Sequence, residues 1–165
     1  EPRGGWKVSE NIDDHHRRSI YVFVRRNARY PMLEVYDMPD THRSCARRDV
    51  TMTAPQALSY LNSDQSIGWA EDFAKHLITQ AGVDQKDQID LAYRIAFSRS
   101  PDDWEQDTAL TFLDKQATLI AARTSEDRKP SQSTPDIMKL SQEQRAALVD
   151  FCHSIMNSNE FVFRY

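Results

Sequence analysis

Apolar residues recur at helical spacing in five stretches of this chain, and helix-start and helix-stop signals separate the stretches. Thr53 places a capping hydroxyl two residues before Pro55, which suits a first helical turn, and Gly82 offers a left-handed stop. The predicted helices cover residues 54–61, about 66–81, about 87–98, about 103–121 and 142–155. We therefore predict a mainly α-helical fold of about five helices.

Three details of these helices bear on packing. The stretch 87–98 is apolar over most of its circumference, which favours the central and most buried position. The helix after it carries Trp104 at the head of its apolar set, and Ser141 with Gln144 forms a capping-box pattern for the last helix. An apolar tail that is predicted to pack back as a cover contains Phe161, Val162, Phe163 and Tyr165.

The first third of the chain is predicted to be irregular and rich in arginine. Residues 19–24 fit a short buried strand and a helix face equally well, so both alternatives stay open. The prolines within residues 30–39 favour extended chain. Residues 1–14 have the composition of a linker from a longer parent chain, residues 15–165 are predicted to form a single domain, and residues 124–137 a mobile polar loop.

The net charge of -4 conceals a difference between two parts of the chain. Residues 1–50 carry a net charge of +2 and the remainder carries -6. A basic surplus this small, made mostly of arginine, argues against nucleic acid as a partner. No apolar run approaches the roughly eighteen residues of a membrane-spanning helix, so no membrane span is expected.

Several motifs of catalysis and cofactor attachment are missing from the sequence. It contains no G-x-S-x-G, no H-E-x-x-H, no Gly-rich phosphate loop, no C-x-x-C and no C-x-x-C-H. We therefore predict no catalytic residue and no cofactor in this piece of chain. Whether it is an enzyme stays open, with a non-enzymatic role favoured for this piece alone.

The start of the first predicted helix is a candidate anion-binding or partner-binding site. A helix N-terminus presents unpaired N–H groups, and arginine adds a planar fork of donors that suits carboxylates, phosphates and sulfates. The candidate residues are Arg47, Arg48, Thr51 and Thr53. The alternative is that Asp37, Asp40 or Asp49 occupies these donors from within the protein.

A second candidate is a metal site, because hard cations prefer several oxygen ligands that converge on one point. The candidate ligands are Glu34, Asp37, Asp40 and His42. Their spacing does not match the calcium-loop pattern, and no glycine provides its sharp turn.

The two cysteines, Cys45 and Cys152, leave two alternatives open. They are two small buried thiols, or they form a disulfide if the compartment is oxidising. The arginines beside Cys45 also make it a candidate reactive thiol. His153 is not a catalytic partner for Cys152, since adjacent helical residues point in different directions.

Four stretches resemble, in order and spacing, a planctomycete-specific domain of unknown function, and the resemblance covers about residues 6–165. They are HHRRSIYVFVRRN, MLEVYDMPD, SCARRDVTMTAPQALSYLN and IMNSNEFVFRY. That domain lies at the C-terminal end of large secreted proteins that often carry a planctomycete cytochrome c-type domain. The resemblance implies a periplasmic or extracellular location and a multidomain parent with any haem upstream. The oxidising location that it implies would allow a disulfide between Cys45 and Cys152.

The function predicted from these features is a non-catalytic structural or interaction domain of an exported protein. Its expected partners are other domains of the parent chain, or an anionic group such as one on a sulfated polysaccharide. The alternative function is an accessory domain that completes the active site of an upstream oxidoreductase or hydrolase domain, with Arg47 and Arg48 binding substrate.

Overall fold

The computed structural model describes residues 9–11, 14, 17–21, 23–26, 29–47, 51, 53–123 and 140–162. These residues form seven α-helices and no β-strand, so the predicted mainly α-helical fold is confirmed. The helices are α1 (Pro31–Val35), α2 (Ala54–Asn62), α3 (Asp64–Ala81), α4 (Gln85–Phe97), α5 (Asp103–Arg123), α6 (Gln142–Met156) and α7 (Asn159–Val162). None of them is long and apolar enough to cross a membrane.

The chain divides into two compact units, Glu1–Leu58 and Ser59–Tyr165. The division falls within α2 and inside the region that the sequence assigned to one domain. The predicted loop 124–137 lies outside the described residues, as do most of the predicted linker 1–14 and residues 163–165 of the predicted tail.

Local signals place the helix ends of the second unit. The hydroxyl of Ser63 accepts the N–H of Ser66 at the start of α3, and Gly82 ends that helix with a φ of 74°. The predicted capping box at α6 is present in full, because Ser141 accepts the N–H of Gln144 and the Gln144 side chain accepts the N–H of Ser141.

Helix α6 forms the centre of the second unit, packing against both α3 and α5. Its buried residues are Ala147, Leu148, Phe151, Cys152, Ile155 and Met156. The prediction that the helix at 87–98 is the most buried is wrong, since α4 buries only Gln88, Ile89 and Ala92 and leaves Ile95 48% exposed. An apolar circumference cannot indicate how many neighbours a helix will have, and α6 is covered from two sides.

The predicted apolar positions at the edges of this unit differ in their outcome. Phe161 of α7 packs against the core, as the predicted cover required, whereas Val162 is 39% exposed and does not cover the core. Trp104, predicted among the apolar set of its helix, is 74% exposed and takes no part in the core.

In the first unit, the prediction of extended chain over residues 30–39 is wrong over Pro31–Val35, which form α1. Proline suits this position because its φ is already helical and its missing N–H would have no partner in a first turn. The preceding Tyr30 is extended (φ -72°, ψ 119°), as a residue before proline prefers. Neither open alternative for residues 19–24 is realised, since Ser19–Tyr21 form a 3-10 helix and Ile20 and Phe23 are exposed.

Candidate anion-binding cleft

An open cleft of about 500 Å³ lies in the first unit, on the loop that follows α1. Arginine, carboxylate and thiol side chains line it together, so we name it the Arg-carboxylate cleft. Its charged and reactive lining residues are Arg29, Arg43, Arg47, Glu34, Asp37, Asp40 and Cys45. The cleft therefore collects three of the four predicted metal ligands and one of the predicted anion-binding arginines.

Asp37 gives the cleft its fixed wall. Its φ of 56° is a left-handed backbone conformation that aspartate tolerates better than most residues. The Asp37 carboxylate accepts the backbone N–H of Thr51 at 2.8 Å and the Thr51 hydroxyl at 2.8 and 2.9 Å. These bonds tie the loop after α1 to the chain just before α2.

Gln56 also joins the loop after α1 to the chain just before α2. It is 7% exposed, and its side-chain oxygen accepts the N–H of Thr53 at 2.9 Å, the position of the glutamine in a capping box. Its amide nitrogen shares two hydrogens among the carbonyl of Val35 (3.0 Å), the hydroxyl of Thr51 (3.0 Å) and the carboxylate of Asp37 (3.3 Å). Sequence reasoning missed Gln56, although the pattern Thr53-x-x-Gln56 was a signal for it.

The predicted anion site at the start of α2 is filled by the protein's own groups. Thr51 donates to Asp37, and the N–H of Thr53 donates to Gln56, so both donors are taken. The first is the alternative that the sequence left open, occupation by a nearby aspartate. Arg47 lies on the cleft instead, and Arg48 is outside the described residues.

The carboxylates of the predicted metal site are held by cations and N–H groups of the protein. Arg29 lies 3.7 Å from Glu34 and 3.4 Å from Asp40. The backbone N–H of His42 donates to Asp40 at 2.9 Å, and this bond, with the charge of Arg29, lowers the pKa of Asp40. Within the described residues, no group of three or more His, Cys, Asp or Glu is placed to hold a metal ion, and the His42 side chain does not line the cleft.

The arginines of the cleft fall into two kinds. Arg29 is held between two carboxylates, whereas Arg43 and Arg47 make no ion pair with any residue that the structure describes. Arg43 was not among the predicted binding residues. Its signal was the arginine-rich run 43–48, but the sequence does not tell which of those arginines already has a carboxylate partner.

The two cysteines are free thiols in different surroundings. Cys45 is exposed on the cleft, where its thiol donates to the carbonyl of Arg47 at 3.0 Å. Cys152 is buried in the core, and this burial raises the pKa of its thiol to about 12. The predicted disulfide between them is not formed in this structure.

One further polar pair lies inside the second unit. The Ser66 hydroxyl is 3.5 Å from Nε2 of His153, the spacing of a loose nucleophile–base pair. Ser66 is 0% exposed, however, and its hydroxyl donates to the carbonyl of Ser63 at 2.9 Å. A substrate cannot reach this hydroxyl, so the pair serves the packing of α3 against α6.

Comparison with known proteins gives one finding. Residues 2–113 match the model of a family, PSD1, described as a protein of unknown function (DUF1553). The matched region contains every residue that lines the Arg-carboxylate cleft. Neither the curated proteins nor the solved structures give a match.

Proposed function

This chain belongs to the PSD1 (DUF1553) family of proteins of unknown function, and we propose that it is a non-catalytic interaction domain that binds an anionic group in the Arg-carboxylate cleft. The anionic group is a carboxylate, phosphate or sulfate, as on a sulfated polysaccharide or on a neighbouring domain. Arg43 and Arg47 are the residues proposed to bind it.

The observation that carries this proposal is the difference between Arg29 and its two neighbours. Arg29 lies 3.7 Å from Glu34 and 3.4 Å from Asp40, whereas neither Arg43 nor Arg47 makes an ion pair with a described residue, although the charge of Arg43 also helps to lower the pKa of Asp40. A guanidinium group presents several N–H donors in one plane, which suits two oxygens of one anion. Two such groups on one cleft are therefore suited to an oxyanion.

The carboxylates of the cleft support selectivity. Glu34 and Asp40 lie within 4 Å of Arg29 and repel an anion that approaches it, so Arg43 and Arg47 are the arginines of the cleft that are better placed to bind one. The lowered pKa of Asp40 extends the pH range over which it is ionised further into acid. An anion that also carries hydroxyl donors, such as a sulfated sugar, can satisfy both the arginines and the carboxylates.

The biological setting is part of the same proposal. It rests on the resemblance of the four quoted stretches to a planctomycete-specific domain of exported proteins. We place the chain in a periplasmic or extracellular multidomain parent, with any haem in an upstream domain. Other domains of that parent are then candidate carriers of the anionic group.

A second proposed function is that the chain completes the active site of an upstream oxidoreductase or hydrolase domain. Cys45 favours it, since an exposed thiol lines the same cleft as Arg43 and Arg47. Under this proposal the arginines bind the substrate of the upstream domain. Mixing this chain with the upstream domain should then restore turnover, and a variant with both arginines replaced should fail to restore it. This pair of results distinguishes the second proposal from the first.

The test of the first proposal is thermal unfolding of the purified chain with sulfate, phosphate and a sulfated oligosaccharide, against chloride at equal ionic strength. An anion present at a hundred times its Kd adds about 2.7 kcal/mol to the free energy of unfolding. We expect a rise in Tm with at least one of these anions. The rise should disappear in the variant Arg43→Gln/Arg47→Gln.

The matched control is Arg94→Gln, an exposed arginine of α4 that pairs with Asp90 one turn away. It should keep the full rise in Tm. A rise that survives in Arg43→Gln/Arg47→Gln, or that is lost equally in Arg94→Gln, contradicts binding in the cleft.

A further inference from the structure

An exposed apolar segment flanked by arginines lies in the first unit. We name residues 17–21 and 23–26 the arginine–apolar segment. Its exposed apolar side chains and their exposed fractions are Ile20 (79%), Tyr21 (60%), Phe23 (72%) and Val24 (50%). It contains Arg17, Arg18, Arg25 and Arg26 and no acidic residue. Apolar side chains so close together are costly to leave in water and mark a contact surface.

A surface of opposite charge lies on α5. Trp104 is 74% exposed, although tryptophan is the side chain with the most apolar area to bury. Asp107 follows Trp104 by three residues and so lies on the same side of α5, and Asp103 immediately precedes Trp104 at the helix start. Both aspartates are exposed, and neither makes an ion pair with a described residue. We name these three residues the Trp104 face.

The core of the second unit does not use Trp104, since α5 packs through Ala109 and Leu113. Two other acids near this helix start have partners within the chain, because Asp102 accepts the N–H of Glu105 and Glu105 accepts from Arg99. Asp103 and Asp107 have no such ion pair among the described residues, so they give this face a negative charge.

We propose that the arginine–apolar segment of one copy of this chain docks on the Trp104 face of a second copy. The two surfaces are complementary in both charge and apolar character. Phe23 and Ile20 can cover the indole of Trp104, and Arg18 and Arg26 can stack on it or meet Asp103 and Asp107. Arg17 is left out of this contact because it pairs with Asp14 at 3.4 Å and lies over the Tyr21 ring.

The size of these surfaces sets the expected strength. Each comprises only a few side chains, fewer than the 20–30 residues a side of a standard interface. The association is therefore expected to be weak and to weaken further with salt, because the charged groups are at the surface. Trp104 is the expected centre of the contact, since tryptophan is enriched among residues whose truncation weakens binding most.

The test is sedimentation equilibrium of the full chain over micromolar to millimolar concentration, at low and at high salt. We expect reversible self-association at low salt, with a Kd that rises with salt; because the contact joins two different surfaces, it can continue beyond a dimer. Trp104→Ala and Phe23→Ala should each raise the Kd at least about tenfold. Leu119→Ala, an exposed leucine about 22 Å along the same helix, should leave it unchanged.

A mixing experiment distinguishes this specific contact from non-specific association. A Trp104→Ala chain keeps its segment, and a Phe23→Ala chain keeps its Trp104 face. An equal mixture should therefore associate more strongly than either variant alone, because one complete contact can form. Both substitutions fall on exposed side chains, so an unchanged Tm verifies that each variant is folded.

Three results would overturn the proposal. The first is a chain that stays monomeric at every concentration at low salt. The second is self-association that Trp104→Ala leaves intact, and the third is a mixture that associates no more strongly than either variant alone. Binding to vesicles of phosphatidylglycerol and phosphatidylcholine tests whether the segment contacts a membrane surface. A monomer that binds them through Phe23 would assign the segment to an anionic membrane surface instead.

Discussion

The side-chain amide of Gln56 donates to the carbonyl of Val35 at 3.0 Å, across twenty-one residues of sequence. This single bond joins the end of α1 to the first turn of α2. The same side chain also caps Thr53 and contacts Asp37, so the wall of the Arg-carboxylate cleft depends on a buried group that touches no ligand.

The first expectation concerns Gln56→Leu, which keeps the size of the side chain and removes its hydrogen bonds. The N–H of Thr53 and the carbonyl of Val35 then lose a partner in a partly buried site, at a cost of about 1–3 kcal/mol. Hydrogen exchange at the Thr51 and Thr53 amides should become about ten- to a hundredfold faster. NMR exchange rates measure this directly.

The control for this experiment is Gln80→Leu, at an exposed position of α3. It should leave the exchange of Thr51 and Thr53 as it is in the parent chain. Equal exchange in the Gln56 and Gln80 variants would mean that Gln56 does not hold the cleft wall.

The second expectation concerns Arg99, which joins the starts of α5 and α7. It donates to Glu105 at 2.7 and 2.7 Å and to Glu160 at 2.8 and 2.9 Å. These hydrogen bonds lower the pKa of both glutamates. Their contribution to stability is therefore present above the ordinary glutamate pKa of about 4.3 and is lost as the pH falls through the lowered folded-state values.

Arg99→Gln should therefore reduce the free energy of unfolding by about 1 kcal/mol at neutral pH, since these side chains are partly exposed. It should also flatten the fall in stability between neutral and acidic pH. Urea unfolding across that pH range measures both effects, with Arg94→Gln as the comparison. A variant whose stability falls with acid as steeply as that of the parent would show that Arg99 does not set these two pKa values.

The third expectation concerns the two thiols. At pH 8 the Cys152 thiol, with a pKa of about 12, is ionised in roughly one chain in ten thousand, and it is also buried. A disulfide-exchange reagent should therefore react with one thiol per native chain. The native Cys45→Ser variant should not react with the reagent. After unfolding, the same variant should react with one equivalent, through Cys152.

The same thiol count tests the predicted disulfide between Cys45 and Cys152. Protein purified from an oxidising compartment and unfolded without reductant should release two reactive thiols if the cysteines are free. Two thiols that appear only after reduction would mean that the pair is joined there.

Much of the helical architecture could be predicted because its signals are local. Gly82 and the Ser141–Gln144 box act within a few residues of themselves, and α3 ends and α6 begins where the sequence predicted. The Ser63 cap was missed, so α3 begins at Asp64 and not at the predicted residue 66. Proline at the start of α1 misled the prediction, because the same residue suits an extended chain and a first helical turn.

The burial of α6 and the cleft could not be predicted in the same way. Which helix lies at the centre depends on how many others pack on it, and this is a property of the tertiary fold. The sequence identified Glu34, Asp37, Asp40 and Arg47 as candidate site residues. It did not show that Arg29 would neutralise two of these carboxylates. Pairing among alternating charges is decided by the folded loop, so Arg43 was missed. Gln56 was missed for another reason, since the local pattern Thr53-x-x-Gln56 indicated it and was not used.

The most direct test of the central claim uses Cys45 as a reporter, since its thiol lines the cleft beside Arg43 and Arg47. The measurement is the rate of Cys45 alkylation by neutral iodoacetamide, with and without sulfate, phosphate or a sulfated oligosaccharide at constant ionic strength. An anion bound in the cleft at ten times its Kd should slow the reaction about tenfold, because the occupied fraction is protected. Arg43→Gln/Arg47→Gln should abolish the protection. An alkylation rate that none of these anions changes would contradict anion binding in the Arg-carboxylate cleft.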